Sequence, residues 1–582
     1  MSQRSDALTV ALTGQLSFIL IVSAVLALVA SFLLLRLYRR AVIKSMRRRS
    51  RSEILEPKGF LPAEAEHKPN DAPLSFNFVT RDAAQANRDA ATLFRSANRR
   101  QWLIAFVHTV AGCCFAAAMT AAFLTAGKMA FSPFRFMFLT WVNAWPVVMA
   151  IDFVVGLSRH GKLIGALGYF LIGGVIGTVV MAKNPGLPVG QLLYLWLEFN
   201  AVPTVLLLVF LNRHIRALGP LVLVFMILSV TGASFMVTLT GNNLKLVKAV
   251  SDFSYSIGLG ATGTMVALHL IGFAAFAALG WIILGLLRGL YEKKFVSEQS
   301  ITVDAMWLLF GIVNSIGLVF EGRLWIFSGL VAFTLYKLVA AGLFRALGIA
   351  RRAKSSGHRL LLLRVFALGK RSERLYNTLG KSWRTVGSMQ MIAGPDLATS
   401  TIEPHEFLDF VSGKLDRRFI DSGRTLDLRI GQMDLEPDGE GQFRVAEFFC
   451  HDDTWKLTLA RLADDSDTVL MDLRGFSQLN AGCVFEINEI FNLVPLQRVV
   501  FVVDETTDQS FMRQTMQHAW RRLRELSPNR RTHAGQVSLV QLTRSDTIRD
   551  LLFSVCVAAT AKPEQAGIER LTPASDDRPF SW

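Results

Sequence analysis

The sequence predicts a membrane all-α bundle of about nine transmembrane helices joined to a cytosolic α/β domain. That domain is of flavodoxin-like type, with a parallel sheet and an inserted β-hairpin. Three observations lead there. Long apolar runs recur from residue 13 to residue 345, close to the roughly 20 residues a helix needs to cross a bilayer. Beyond residue 357 the runs shorten to strand length and alternate with helical patterns, as in a parallel sheet covered on both faces. Hydrophobic residues make up 51% of the 582, and Phe (42) far outnumbers Tyr (7), which is too apolar for an ordinary soluble enzyme.

The first apolar run spans about 13–35 and is followed by RLYRRAVIKSMRRRSR. Positive charge after the run and little before it puts the N-terminus outside and the basic run inside. A cleaved signal peptide would carry its charge first, so that reading is rejected. Residues 37–100 read as a cytosolic basic and Pro-rich linker, with a surface helix over 81–98. Eight further spans are expected near 101–126, 132–156, 162–182, 188–211, 219–240, 256–287, 303–320 and 324–345. Arg and Lys fall mainly in the loops that this count places inside, such as Arg159 with Lys162 and Arg288 with Lys293 and Lys294. The net charge of +16 is therefore read as membrane orientation, and nucleic acid is not an expected partner. The protein is expected in the inner (plasma) membrane with its C-terminal domain in the cytoplasm.

Within the spans, Gly161-x-x-x-Gly165 and Gly173-x-x-x-Gly177 read as helix-packing motifs. Polar residues there are costly in lipid, and His108, Asn143, Asp152, Glu198, Asn200, His269, Asn314 and Lys337 stand out. The functional reading is an ion or ligand path, with Asp152 or Glu198 facing Lys337. The competing reading is interhelical pairing.

In the domain over 357–561, strands are expected at Leu360–Phe366, Met389–Ala393, Thr468–Leu473, Val499–Val503 and Gln536–Leu542. Helices are expected between them at 371–386, 404–419, 455–462, 482–493, 510–525 and 545–559, and 562–582 reads as a poorly ordered tail. Leu426–Phe449 reads as the inserted hairpin, turning at Pro437-Asp438-Gly439. Its likeness to a calcium loop fails because Val445 stands where a bidentate Glu is needed. The five cysteines show no metal spacing and are expected as free thiols; no metal site is expected. A flavodoxin-like order puts the crevice beside the ends of the first and third strands, at Gly369-Lys370-Arg371 and Asp472-Leu473-Arg474-Gly475.

RLLLLRVFALGKRSERLYNTLGKSWRTVG resembles the first strand and helix of a TIR (Toll/interleukin-1 receptor) domain. MIAGPDLATS is similar to that family's second strand and loop. WKLTLARLADDSDTVLMDLRGFSQLNAGCVFEINEI is similar to the stretch leading to its Cys-x-x-Glu helix, and QRVVFVVDE to the next strand. The resemblance covers about 200 residues and none of the membrane part. It implies an NAD glycohydrolase-like activity, with Glu486 as the catalytic carboxylate and NAD as a substrate and not a tightly bound cofactor. Asp472, Arg474, Gly369 and Arg371 would line the nucleotide crevice. Capping or pairing with an Arg is the competing reading of Glu486, and an ion pair that of Asp472 with Arg474. Glu489 reads as a solvated or paired surface group, and Arg521, Arg522 and Arg524 as a solvated basic face.

The expected function is thus a multi-pass membrane protein presenting a TIR-like signalling domain that cleaves NAD under control of the membrane part. The alternatives are a non-catalytic adaptor of the same architecture and a transporter or channel with a regulatory α/β domain. Expected partners are the lipid bilayer and a second copy of the chain, through the transmembrane helices or the TIR-like domain.

Overall fold

The computed structural model describes residues 2–47, 69–78, 87–184, 186, 188–210, 215, 219–241, 243–294, 297–318, 321–349, 357–365, 370–394, 410, 413, 415–532, 534–542 and 547–561. The chain divides into two compact units. The first takes Met1–Pro57, Arg95–Arg359 and Phe366–Thr458; the second takes Lys58–Phe94, Leu360–Val365 and Leu459–Trp582.

Among the described residues of the chain, nine helical stretches are long and apolar enough to cross a membrane, and they fall where the sequence places them. They are built from α1 (Ser2–Met46), α2 (Arg88–Ala126), α3 (Pro133–Asn143) with α4 (Trp145–Val155), α5 (Arg159–Lys183) and α6 (Val189–Phe210). α7 (Gly219–Gly241), a short α8 (Leu244–Ser256), α9 (Ala261–Glu292), α10 (Glu298–Leu318) and α11 (Ser328–Ala346) follow. Side chains such as Phe18, Val25 and Val29 on α1 stay exposed while Ala24, Ala27 and Tyr38 are buried. An apolar outer face on a helix this long is what a lipid solvent permits.

The break between α3 and α4 has a clear cause. Pro146 has no N–H, so the carbonyl of Val142 four residues earlier loses its ladder donor. Asn200 Nδ2 donates to that carbonyl at 3.1 Å, and the Tyr169 hydroxyl donates to the neighbouring Trp141 carbonyl at 2.8 Å. In lipid every such group must be satisfied inside the protein. Asn143 likewise donates to Thr120 Oγ1 at 3.3 Å and to the Leu139 carbonyl at 3.0 Å. These two asparagines hold the kink together.

Helix packing uses glycine differently from the sequence motifs. Gly173 lies under the Trp141 ring with no room for a side chain, but a side chain at Gly165 would meet only Val148, at 3.9 Å. Close backbone approaches join α7 to α9, where a Cβ on Gly272 would collide with the Gly232 carbonyl, and α10 to α11, where one on Gly329 would collide with the Gly311 carbonyl. A GxxxG search within one helix misses a glycine pair shared by two.

The rest of the first unit holds α12 (Lys370–Trp383), β3 (Gly387–Ala393), β4 (Phe419–Ile420), α13 (Gly423–Gly431) and β5 (Val445–Cys450). β5 runs parallel to both β3 and β4. The expected hairpin over Leu426–Phe449 is therefore wrong. Ser422 and Thr425 form a capping box that starts a helix where LDLRI alternates like a strand. The second arm is β5, paired elsewhere and in the opposite sense to a hairpin. Between them, Asp438 Oδ1 accepts from the N–H groups of Glu440 (2.9 Å) and Gln442 (3.0 Å), closing a tight acidic loop. That loop is tied to the α9–α10 turn: Lys294 Nζ lies 2.7 Å from Asp434 and 3.1 Å from Glu436, and Ser297 donates to Glu440 at 2.9 Å. Ser45 at the end of α1 donates to Asp416 at 3.3 Å, and Gln101 of α2 accepts from Ser382 at 3.1 Å. Ser45, Gln101 and the turn between α9 and α10 thus meet the same α/β segment.

The second unit is a parallel sheet. β1 (Leu74–Phe78), β8 (Gly535–Gln541), β7 (Val499–Val503), β6 (Thr468–Asp472) and β2 (His358–Arg364) lie side by side in that order. Four of them match expected strands. β1 lies in the stretch read as linker, paired with β8 as an edge strand. Every residue of β6 and β7 is buried, which fits their continuous Val, Leu and Phe runs. α14 (Trp455–Asp465), α15 (Ala481–Leu493), α16 (Gln509–Arg521) and α17 (Thr547–Thr560) fall close to the expected helices. The expected helix over 404–419 lies mostly outside the described residues, as does the tail after 561.

Candidate functional site

The second unit gathers its buried charge at the carboxyl ends of β2 and β6. Arg364 and Asp472, the last residues of these strands, stand directly opposite each other in the register. After β6 the chain turns through Gly475, whose φ of 70° suits a residue without a Cβ, and reaches α15. α15 brings Cys483 and Glu486, one turn apart, over the strand ends. Cys483 Sγ lies 3.9 Å from the Arg364 carbonyl.

Asp472 and Arg474 are consumed by each other. Arg474 Nε donates to Asp472 Oδ1 at 2.8 Å and Nη2 to Oδ2 at 2.7 Å, a two-pronged bond with both residues buried. Burial alone would lower the guanidinium pKa; the bond to Asp472 outweighs it and holds the pKa above its ordinary value. The competing ion-pair reading is the geometry found.

Glu486 is the opposite case. It is 2% exposed, and its Oε2 has no hydrogen-bond partner among the described residues. Burial pushes its carboxyl up to about 8, and a hydrogen bond with Cys483 and the nearby Arg364 charge recover only part of that shift. Near neutrality the group is mostly the protonated acid. Burial, then the Glu486 charge, pushes the Cys483 thiol well up as well, so it is no thiolate nucleophile.

The other expected residues fall elsewhere. Gly369 lies outside the described residues. Arg371 is exposed in the first turn of α12 and belongs to the first unit. Glu489 is buried and bonded to Arg524, which leaves only Arg521 and Arg522 exposed on the face read as solvated. Arg364, the end of an LLLLR run, was missed. The signal for it is a charge closing an apolar strand, the same one that marks Asp472.

In the membrane bundle, Lys337 does not face Asp152 or Glu198. Its Nζ lies 2.7 Å from Asp304 of α10 and 3.3 Å from Ser300. Asp152 pairs with Lys162 at 2.6 Å, and His108 Nδ1 lies 2.7 Å from the Tyr336 hydroxyl. Glu198 and His269 are exposed. All five cysteines are free, and among the described residues no cluster of His, Cys, Asp and Glu has a metal-holding arrangement. No family model, curated protein or solved structure matches the chain.

Proposed function

We propose that the protein is a multi-pass signalling protein of the inner membrane, with its N-terminus outside and a cytosolic TIR-like α/β unit governed by the membrane part. In this reading Glu486 acts on NAD, cleaving the nicotinamide–ribose bond. The observation that carries it is the Glu486 carboxyl: buried at the strand ends, largely protonated near neutrality, and with one oxygen unbonded among the described residues. Buried titratable groups of this kind cluster at functional sites. Water adds to the ribose carbon as nicotinamide departs, giving ADP-ribose, nicotinamide and a proton. The oxocarbenium-like transition state is stabilised by a carboxylate, so the ionised form of Glu486 is the active one. Nicotinamide release by the full chain should rise with pH towards a plateau above about 8, and Glu486→Gln should abolish it.

The same architecture without catalysis is favoured by a second observation. Asp472 and Arg474 satisfy each other, and Glu486 is closed off. In that case the unit acts as a self-association or adaptor module. Incubating the full chain in lipid discs with NAD separates the two. No nicotinamide at any pH, or undiminished release from Glu486→Gln, leaves the adaptor reading. The full chain is needed because β1 and part of α2 belong to the same unit as the site.

A further inference from the structure

Two ionisable side chains of the membrane bundle lie on its outer surface. Glu198 is exposed near the middle of α6, and His269 is exposed within the apolar part of α9. Their neighbours are apolar and equally exposed: Leu197 and Val202 beside Glu198, Val266 and Leu270 beside His269. Among the described residues, neither has a charged partner. His269 Nδ1 is 2.8 Å from the Met265 carbonyl. A carbonyl only accepts, so Nδ1 carries the proton and Nε2 remains as the ring's second site. Asp152, Lys337 and His108, by contrast, all have partners within the bundle. A charged side chain against hydrocarbon is costly, and such groups normally pair.

The depths of the two groups match. α6 and α9 cross in the same direction, since α7 returns between them. At 1.5 Å per residue, Glu198 lies about 13 Å and His269 about 12 Å along its helix from the same side of the bundle. The helices that carry them are also the least covered: 17% and 11% of their apolar windows are buried, against 56% for α2 and 50% for α10. An acid and a base thus stand at equal depth on two under-packed helix faces.

We propose that the α6 and α9 faces form an interface between two copies of this chain, in which Glu198 of one copy pairs with His269 of the other. The pair forms wherever the α6 face of one copy meets the α9 face of another. The Glu198 carboxyl and His269 Nε2 share one proton, so the pair carries no net charge whichever atom holds it. Nothing else need neutralise either group in lipid.

Sedimentation or mass photometry of the full chain in detergent and in lipid discs, over a range of concentrations, tests this. The wild type should dimerise. Glu198→Leu and His269→Leu should each raise the dimer dissociation constant about tenfold, the scale of one lost interhelical hydrogen bond. Exchanging the groups, Glu198→His with His269→Glu, should restore it. Should these variants fold poorly, a second measurement keeps the wild-type pair intact. Leu197→Cys copies mixed with Leu270→Cys copies should form an oxidative cross-link that neither makes alone. A wild type that stays monomeric at every concentration, a dimer indifferent to both leucine variants, or absence of the mixed cross-link would overturn the proposal.

Discussion

The membrane bundle holds a half-buried carboxyl and the parallel-sheet unit a buried one, and they treat them in opposite ways. In the bundle, Asp304 has the Lys337 ammonium at 2.7 Å. In the sheet unit, Glu486 has no cation within bonding distance among the described residues and largely keeps its proton near neutrality. Asp472, also in the sheet unit, follows the bundle's solution with its Arg474 fork. Pairing is thus the structural default in both regions. Glu486 departs from it at the strand ends, where an α/β sheet places its ligands.

Lys337→Met leaves the half-buried Asp304 without its cation. The expected loss is roughly 3 kcal/mol, the scale of a carboxylate left unpaired in a membrane span, read as a fall in thermal stability in detergent, and adding Asp304→Asn should recover much of it. Recovery from the single variant alone would mean the pair is not a structural requirement.

Glu486 should behave in the reverse sense. Its folded pKa is raised, so between its ordinary value near 4.5 and about 8 the folded state holds a proton that the unfolded state has lost. Stability contributed by this group is full below pH 4.5 and falls as pH rises towards 8. Glu486→Gln should flatten that slope and raise the Tm at pH 8 by an amount corresponding to a few kcal/mol, order of magnitude only. Thermal melts of both proteins from pH 5 to 9 check it; a parallel pair of curves would count against it.

Asp472→Asn breaks the fork and leaves Arg474 half-bonded in a buried place. A cost of about 2–3 kcal/mol is expected, with little pH dependence between 6 and 9, which sets it apart from the Glu486 variant. The smallest effect belongs to Asn200→Leu. It removes one donor from the Val142 carbonyl at the Pro146 break, and about 1 kcal/mol is expected, within the range of single interhelical bonds in membranes. A neutral result would mean Tyr169, 3.5 Å from the same carbonyl, suffices alone.

What could be read from the sequence follows from locality. The nine spans and five central strands are set by the period and length of apolar runs; the strands lie within a few residues of the expected bounds, whereas the first two spans run about ten residues or more past theirs. LDLRI of α13 alternates like a strand, and only the Ser422–Thr425 box, a pattern outside the usual Ser-x-x-Glu form, marks it as helix. LSFNF of β1 is half polar and set among prolines, so an edge strand passed for linker. Partner choice was the least legible. That Lys337 meets Asp304 depends on how α11 lies against α10, and neither residue's neighbours in the chain encode it. The site was half legible: the strand end and the Cys-x-x-Glu turn stood out, whereas the closure around Glu486 depends on packing from several elements.

The protonation of Glu486 is open to direct observation. Infrared difference spectra of the full chain, wild type against Glu486→Gln, report the stretch of a protonated carboxyl as pH is raised. The band should persist through neutral pH and disappear around pH 8. A carboxyl already ionised at pH 6 would contradict the account at its root.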